Sequence, residues 1–431
     1  MKILYHHRVG SKDGQAVHID EIVAAVRAMG HEVVVVGPPA MQRAAFGSDA
    51  GLVATLKRVL PASLYELLEL AYGCLAFWRL WRAYRRERPD VLYERYNLYL
   101  LAGIWLRRLT GIPMLLEVNA PLAHERSRFS GLSNRKLAAW IEKITWRSAD
   151  YVLPVTDVLA GFVRDAGVAP DRVVVIQNGV GSEFLSGAVD GKAVRHRFAI
   201  EDAIVLGFTG FVREWHGLER VIELIADSDP RLKLHLLLVG DGPAIPALRH
   251  LAAARGVDGR VIFAGLVPRH DIVGYIASFD IALQPQVVPY ASPLKLIEYM
   301  AQGRAIVAPS TPNIGEILSD REALLFDPGD PAAFRRAIER LSGDADLRVR
   351  LGQAARAAVD RHGLTWANNA RRIAGLFAEL LQGAAQRRPK ERLPHPPASA
   401  ISDSAPANRR MANGSGQRHP VEEAGARRSE P

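Results

Sequence analysis

Short apolar runs alternate with longer stretches of helical periodicity through most of the chain. Ile3–His6, Glu32–Val36, Val91–Tyr93, Pro113–Glu117, Tyr151–Pro154 and Val173–Ile176 read as parallel strands, each beside an amphipathic segment. Gly30-His31 reads as the turn between the first helix and the second strand. The pattern predicts a doubly wound α/β domain. A second series of strands follows Gly187–Lys192, at Ala203–Thr209, Leu234–Val239, Arg260–Ala264, Ile281–Gln284 and Ala305–Ala308. Two Rossmann-like halves facing across a cleft are expected, and 431 residues suffice for two cores.

Composition sharpens this picture. With 48% hydrophobic and 23% charged residues the chain reads as a soluble globular protein up to about residue 383. From Ala384 onward Pro, Arg, Ser, Ala and Gly replace the large apolar residues, which predicts a disordered tail. The only cysteine, Cys74, excludes a disulfide framework or a cysteine metal site, and fits a reducing cytoplasm. The N-terminus starts as a strand and reaches polar residues within a few positions, so no signal peptide is expected. Of the net charge of +9, the excess lies in the first half and the tail. Anionic membrane and nucleic acid would each attract it, but no nucleic-acid signature accompanies it.

Between Leu52 and Pro89 a long helical stretch carries Leu67, Leu68, Leu70, Tyr72, Leu75, Phe77, Trp78, Leu80 and Trp81, then Arg82, Arg85, Arg86 and Arg88. Glu66, Glu69 and Arg79 make it a poor bilayer span. It predicts either an interfacial helix, with arginines on anionic lipid, or a domain helix with a solvated basic end.

The chemistry concentrates in Ser292-Pro293-Leu294-Lys295-Leu296-Ile297-Glu298-Tyr299-Met300-Ala301-Gln302-Gly303. A small-residue loop opens a helix, and an apolar strand follows it. Amides freed at the helix start and Lys295 suit a diphosphate, and Glu298 is placed to accept from sugar hydroxyls. The alternative is a core helix on Leu294, Ile297 and Met300 with Glu298 solvated. This stretch resembles the donor-binding signature of glycosyltransferase family 4, retaining enzymes of the GT-B fold, in the variant Ser-Pro-x-Lys-Leu-Phe-Glu-Tyr-Met-Ala. The family pattern has a glutamate eight residues before Glu298, where this chain has Tyr290.

The resemblance extends over both halves. Gly207-Phe208-Thr209-Gly210-Phe211-Val212-Arg213-Glu214-Trp215-His216-Gly217 follows a strand, and Arg213 can neutralise a diphosphate or pair with Glu214. Relatives have arginine at Phe211 and lysine at His216. Gly240-Asp241-Gly242-Pro243 resembles the family's Gly-x-Gly-Pro turn, and the segment through Val267-Pro268 resembles the one whose backbone meets the base. No Gly-x-Gly-x-x-Gly with a distal acid appears, which argues against a dehydrogenase. In the first half Gly14 matches the glycine beside the donor phosphates, and His18 lies one turn further on. Asn119 occupies the position of a histidine near the donor sugar, with His124 and Glu117 as possible substitutes. Tyr93 and Arg95 either shape the acceptor pocket or cap the next helix. Gln177-Asn178-Gly179-Val180 resembles the family's Pro-Asn-Gly-Val hinge.

The resemblance implies an acceptor-binding domain over 1–182, a nucleotide-sugar-binding domain over 183–363, a helix over 364–383 returning to the first domain, and the basic tail over 384–431. Arg213, Lys295, Glu298, Asn119 and His124 would be catalytic. Gly14, Gly210, His216, Gly240, Val267, Ser292, Pro293, Leu294 and Glu298 would bind the donor, and Glu117, Tyr93 and Arg95 would serve the acceptor. The implied reaction transfers sugar from a nucleoside diphosphate sugar to a lipid-linked or other glycan acceptor, with retention and without cofactor or bound metal. The implied location is the cytoplasm, on the inner face of the cell membrane through the basic N-terminal domain. A nucleotide-sugar epimerase of the same fold, or a scaffold that binds the donor without chemistry, remain alternatives.

Overall fold

In a computed structural model, residues 1–10, 14–38, 60–129, 131–187 and 189–387 are described. The first sheet joins β1 (Lys2–His6), β2 (Glu32–Val36), β3 (Val91–Arg95), β4 (Met114–Val118) and β5 (Tyr151–Pro154) in the order β2-β1-β3-β4-β5. The second joins β6 (Ile204–Thr209), β7 (Leu234–Val239), β8 (Val261–Gly265), β9 (Ile281–Leu283), β10 (Ala305–Pro309) and β11 (Leu324–Phe326) in the order β11-β10-β9-β6-β7-β8. Every pairing between these strands is parallel. Helices cover both faces, so β3, β4 and β10 are buried at every position; β10 reads as an unbroken apolar run, whereas β3 ends on Glu94 and Arg95 and β4 carries Glu117. Two Rossmann-like domains result, as the apolar pattern predicts.

Strand order reverses between β1 and β3 in the first sheet and between β6 and β9 in the second. Crevices open at such points outside the carboxyl ends of the strands. Register places particular residues there. Arg95 on β3 lies directly opposite Glu117 on β4, and Tyr93 opposite Leu115. Because side chains alternate with period 2, Tyr93, Arg95 and Glu117 share one face. The helix Gly14–Ala28 packs on that face through Ile19, Ile22, Val23 and Val26.

The helix Trp366–Arg387 returns to the first sheet, as expected, and longer than expected. Trp366, Ala370, Ile373 and Phe377 join Ile3, Tyr5, Ile19 and Val23 in one core, and Val180 pairs with Thr365 where the chain crosses. Val173–Ile176 requires correction. It forms no strand, because only the amides of Val174 and Ile176 reach β5, donating to the carbonyls of Val152 and Pro154 at 3.0 Å each. The expected tail lies almost entirely outside the described residues, as do 52–59 at the start of the long helical stretch.

That stretch forms the helix Ala62–Glu87. It buries Glu66, Gly73, Ala76, Leu80 and Ala83, and leaves Leu64, Leu67, Leu68, Leu75 and Trp78 exposed. The exposed set recurs at spacings of three, four and seven, so a second apolar stripe faces away from the core. Among the described residues, no helix is long and apolar enough to cross a membrane.

Candidate active site at the facing strand ends

The second sheet builds its share of the site from two glycine turns and one helix. Gly210 follows β6 with φ +119°, and Gly240 follows β7 with φ +131°. A Cβ on Gly240 would lie 2.1 Å from the Gly210 carbonyl oxygen, so the two loops touch backbone to backbone. The amide of Gly210 donates to Val239, and that of Gly240 to Gly265, each at 2.8 Å. Bare backbone is thereby stacked along the carboxyl edge.

The helix Leu294–Ala301 begins beside this edge, with Pro293 as its cap. The Lys295 ammonium sits 3.7 Å from the centre of the Phe208 ring, and Gly210 approaches it. Among the described residues it makes no hydrogen bond. Burial pushes the Lys295 pKa down to about 7, against an opposing pull from Glu298. A cation lacking a carboxylate contact beside open backbone is a receptor for an anion.

His216 lies buried against Phe208, with ring centres 5.0 Å apart, and its Nδ1 accepts from the Arg213 amide at 3.0 Å. Its Nε2 is then the nitrogen that carries a proton. Burial, with Lys295 and Arg213 nearby, holds the pKa of His216 far below its usual range, so the ring is neutral. The Arg213 side chain is exposed, its guanidinium 4.7 Å from the centre of the Phe211 ring.

Glu298 is not the solvated carboxylate of the core-helix alternative. It is buried, and its Oε1 accepts from Arg269 at 2.5 Å. Arg269 also lies 3.5 Å from Glu21, on the helix Gly14–Ala28, and packs over the Phe184 ring. Sequence reasoning missed Arg269, since nothing in the Val267-Pro268-Arg269 segment marks it as the partner of a residue 29 positions away. Val267 itself packs against the core of the second sheet.

The first sheet contributes a denser network. Glu117 accepts from Arg95, from the Tyr93 hydroxyl at 2.7 Å, from the Asn119 amide at 2.5 Å and from His18 Nε2 at 2.9 Å. Burial alone would raise its pKa, but His18, Arg95 and these hydrogen bonds hold it well below the usual carboxylate range. The acceptor-side expectation for Glu117, Tyr93 and Arg95 is therefore corrected. All three are buried, and Tyr93 and Arg95 both spend a donor on Glu117 inside the fold rather than on the open strand edge. His124 is not drawn into this network either. It stays exposed on the helix Leu122–Phe129, its ring 5.5 Å from that of Phe162. Asn119 alone of this group remains part-buried at the strand end.

Contacts between the halves surround the hinge. Gly14 opens its helix 3.9 Å, measured from an added Cβ, from the Leu294 side chain, and Ser292 accepts from Asn178 twice. Tyr290 is buried against the first domain, and its hydroxyl donates to Glu125 at 2.7 Å. Residues 11–13 of the loop leading to Gly14 lie outside the described set.

Two protein families match this architecture half by half. Residues 13–179 match the Glycosyl transferase 4-like domain, and residues 203–344 match Glycosyl transferases group 1. The lipopolysaccharide core biosynthesis glycosyltransferase LpsE of Rhizobium meliloti is 34% identical over 272 residues, 62% of this chain and 70% of that one. The chain belongs to the family 4-like glycosyltransferases. The transferase is also 24% identical to the alpha-D-kanosaminyltransferase of Streptomyces kanamyceticus over 378 residues, 83% of this chain and 96% of the relative. In fold it is similar to Anabaena HepE, crystallised in complex with UDP, with a TM-score of 0.68 at 19% identity over 88% of this chain and 100% of that one. GT-B is thus the fold that the two sheets compose.

Proposed function

We propose that the transferase moves a glycosyl group from a nucleoside diphosphate sugar to a glycan acceptor, retaining configuration at the anomeric carbon. The observation that carries this reading is the half-dry ammonium of Lys295, without a hydrogen bond among the described residues, set between the Gly210 backbone and a helix start. A diphosphate there gains a cation, backbone amides and a neutral His216 donor together. The crystallisation of HepE with UDP-glucose supports a nucleotide-sugar donor. In the reaction, the bond from the anomeric carbon to the diphosphate oxygen breaks and a bond to the acceptor oxygen forms on the same face. The acceptor proton passes to the departing phosphate, which needs no separate base. In this reading Asn119 holds a sugar hydroxyl and Arg213 neutralises the leaving group.

The decisive experiment measures thermal stabilisation of wild type and Glu298→Ala by UDP, GDP, ADP and CMP and their sugar conjugates. One base is expected to raise the melting temperature of wild type. Losing the carboxylate should weaken that ligand about 10- to 100-fold, the worth of charge-assisted hydrogen bonds to ribose. No response from folded wild type to any of the four sinks the donor site. Sugar conversion without acceptor would indicate an epimerase, and binding without turnover a scaffold.

We further propose that the acceptor is lipid-linked and that the transferase docks on an anionic membrane through the helix Ala62–Glu87. The support is its outward apolar stripe, ending in exposed Arg82, Arg85 and Arg86, with Arg82 stacked 4.7 Å from the Trp78 ring. Changing Leu67, Leu68, Leu75 and Trp78 to serine and Arg82, Arg85 and Arg86 to glutamine should abolish binding to phosphatidylglycerol vesicles while leaving nucleotide binding intact. Equal vesicle binding by the variant would remove the docking helix.

A further inference from the structure

One buried chain of side chains runs from the first sheet to the nucleotide helix. Glu117 at the end of β4 contacts His18 Nε2 at 2.9 Å, and His18 Nδ1 contacts Asn178 Oδ1 at 2.8 Å. Asn178 in turn donates its side-chain amide to the Ser292 carbonyl at 2.6 Å and its backbone amide to the Ser292 hydroxyl at 3.2 Å. Ser292 stands two residues before the helix that carries Lys295 and Glu298. All four residues are buried.

The surroundings fix this chain rigidly. The His18 ring meets Trp366 edge-on with centres 4.9 Å apart, and a Cβ on Gly179 would lie 2.6 Å from the backbone of Thr365 and Trp366. Asn369 donates to the Gln177 carbonyl at 2.7 Å. Hence the hinge segment, the returning helix and the nucleotide-helix start are locked around two polar side chains. The same Glu117 carboxylate also holds Asn119. One anchor therefore sets both the amide at the first strand edge and the entry to the diphosphate site on the second domain.

We propose that His18 and Asn178 are positioning residues that hold the start of the nucleotide helix in reacting register with Asn119. The proposal rests on the transferase reading above. Lys295, Glu298, Gly210 and Gly240 all belong to the second domain, so nucleotide binding does not pass through this relay. Alignment of donor with acceptor does, and a displacement of about 1 Å at a reacting centre costs up to about 100-fold in rate.

The test compares His18→Ala, His18→Gln, Asn178→Ala and the double variant His18→Ala/Asn178→Ala. Each alanine variant is expected to lose about 10- to 100-fold in kcat with the KM for donor little changed, and UDP should still stabilise it. The double variant should lose no more than the worse single one, because both break one path. His18→Gln, which keeps one hydrogen bond, should recover part of the rate. Amide hydrogen exchange at Leu294–Leu296 should quicken in His18→Ala with UDP bound. Multiplicative losses, an unchanged kcat, or a fall in UDP binding that matches the fall in rate would overturn the relay. Wild type that transfers no sugar would defeat the transferase reading, whereas unaltered exchange at the helix start would defeat the relay alone.

Discussion

Lys295→Ala lowers kcat/KM for the donor by about 100- to 1,000-fold, the effect of removing one preorganised charge from a developing oxyanion. The folded protein does not weaken with it. The ammonium is held away from water against Phe208 without a hydrogen bond among the described residues, so its deletion relieves a desolvation cost, and the melting temperature stays level or rises. The pH dependence follows with a definite sign. Since burial pushes the pKa down to about 7, free enzyme is charged below pH 7 and progressively neutral above it. A bound diphosphate raises that pKa, and binding takes up a proton. Donor dissociation constants measured by calorimetry should be flat below neutrality and weaken by about tenfold per pH unit above it. Lys295→Arg should remain flat. A wild-type curve that is level from pH 6 to 9 would show that this ammonium does not meet the phosphates.

Glu117→Ala destabilises the protein by about 3–5 kcal/mol, because it strands the buried Arg95 guanidinium and leaves Tyr93 and His18 without their acceptor. Denaturant unfolding measures this directly. Glu117→Gln keeps the shape but loses the charge, and should fall between wild type and alanine. The native carboxyl lies well below its unfolded range, so its contribution is complete above about pH 5 and is lost as the pH falls. Wild type should therefore lose more stability than Glu117→Gln between pH 6 and 4. A loss in Glu117→Ala of the size seen for surface changes would mean that water reaches this network.

The strands were legible because burial on both sheet faces forces apolar runs, unbroken at β10 and interrupted only by His235 at β7. β11 was missed although β9, also three residues long, was read, and Val173–Ile176 has strand composition without a full ladder. At the site, Lys295 and Glu298 were visible from a local rule, since a loop, a helix start and a charged first turn are contiguous. Their environments were not. Phe208 lies 87 positions from the lysine it covers, and Arg269 reaches Glu298 only because two loops meet.

By itself the sequence determined two doubly wound domains, the glycine turns at Gly210 and Gly240, and the helix bearing Lys295 and Glu298. These depend on periodicity, on backbone conformation and on neighbours within a few residues. Only the tertiary structure decided that Glu117, Tyr93 and Arg95 turn inward as a closed network, that His124 stays outside it, and that His18 reaches Ser292 through Asn178. Strand register and the packing of one helix over a sheet select those partners from 22 to 160 positions away. No local pattern encodes such a choice, because the energy that makes it is shared among every element that meets there.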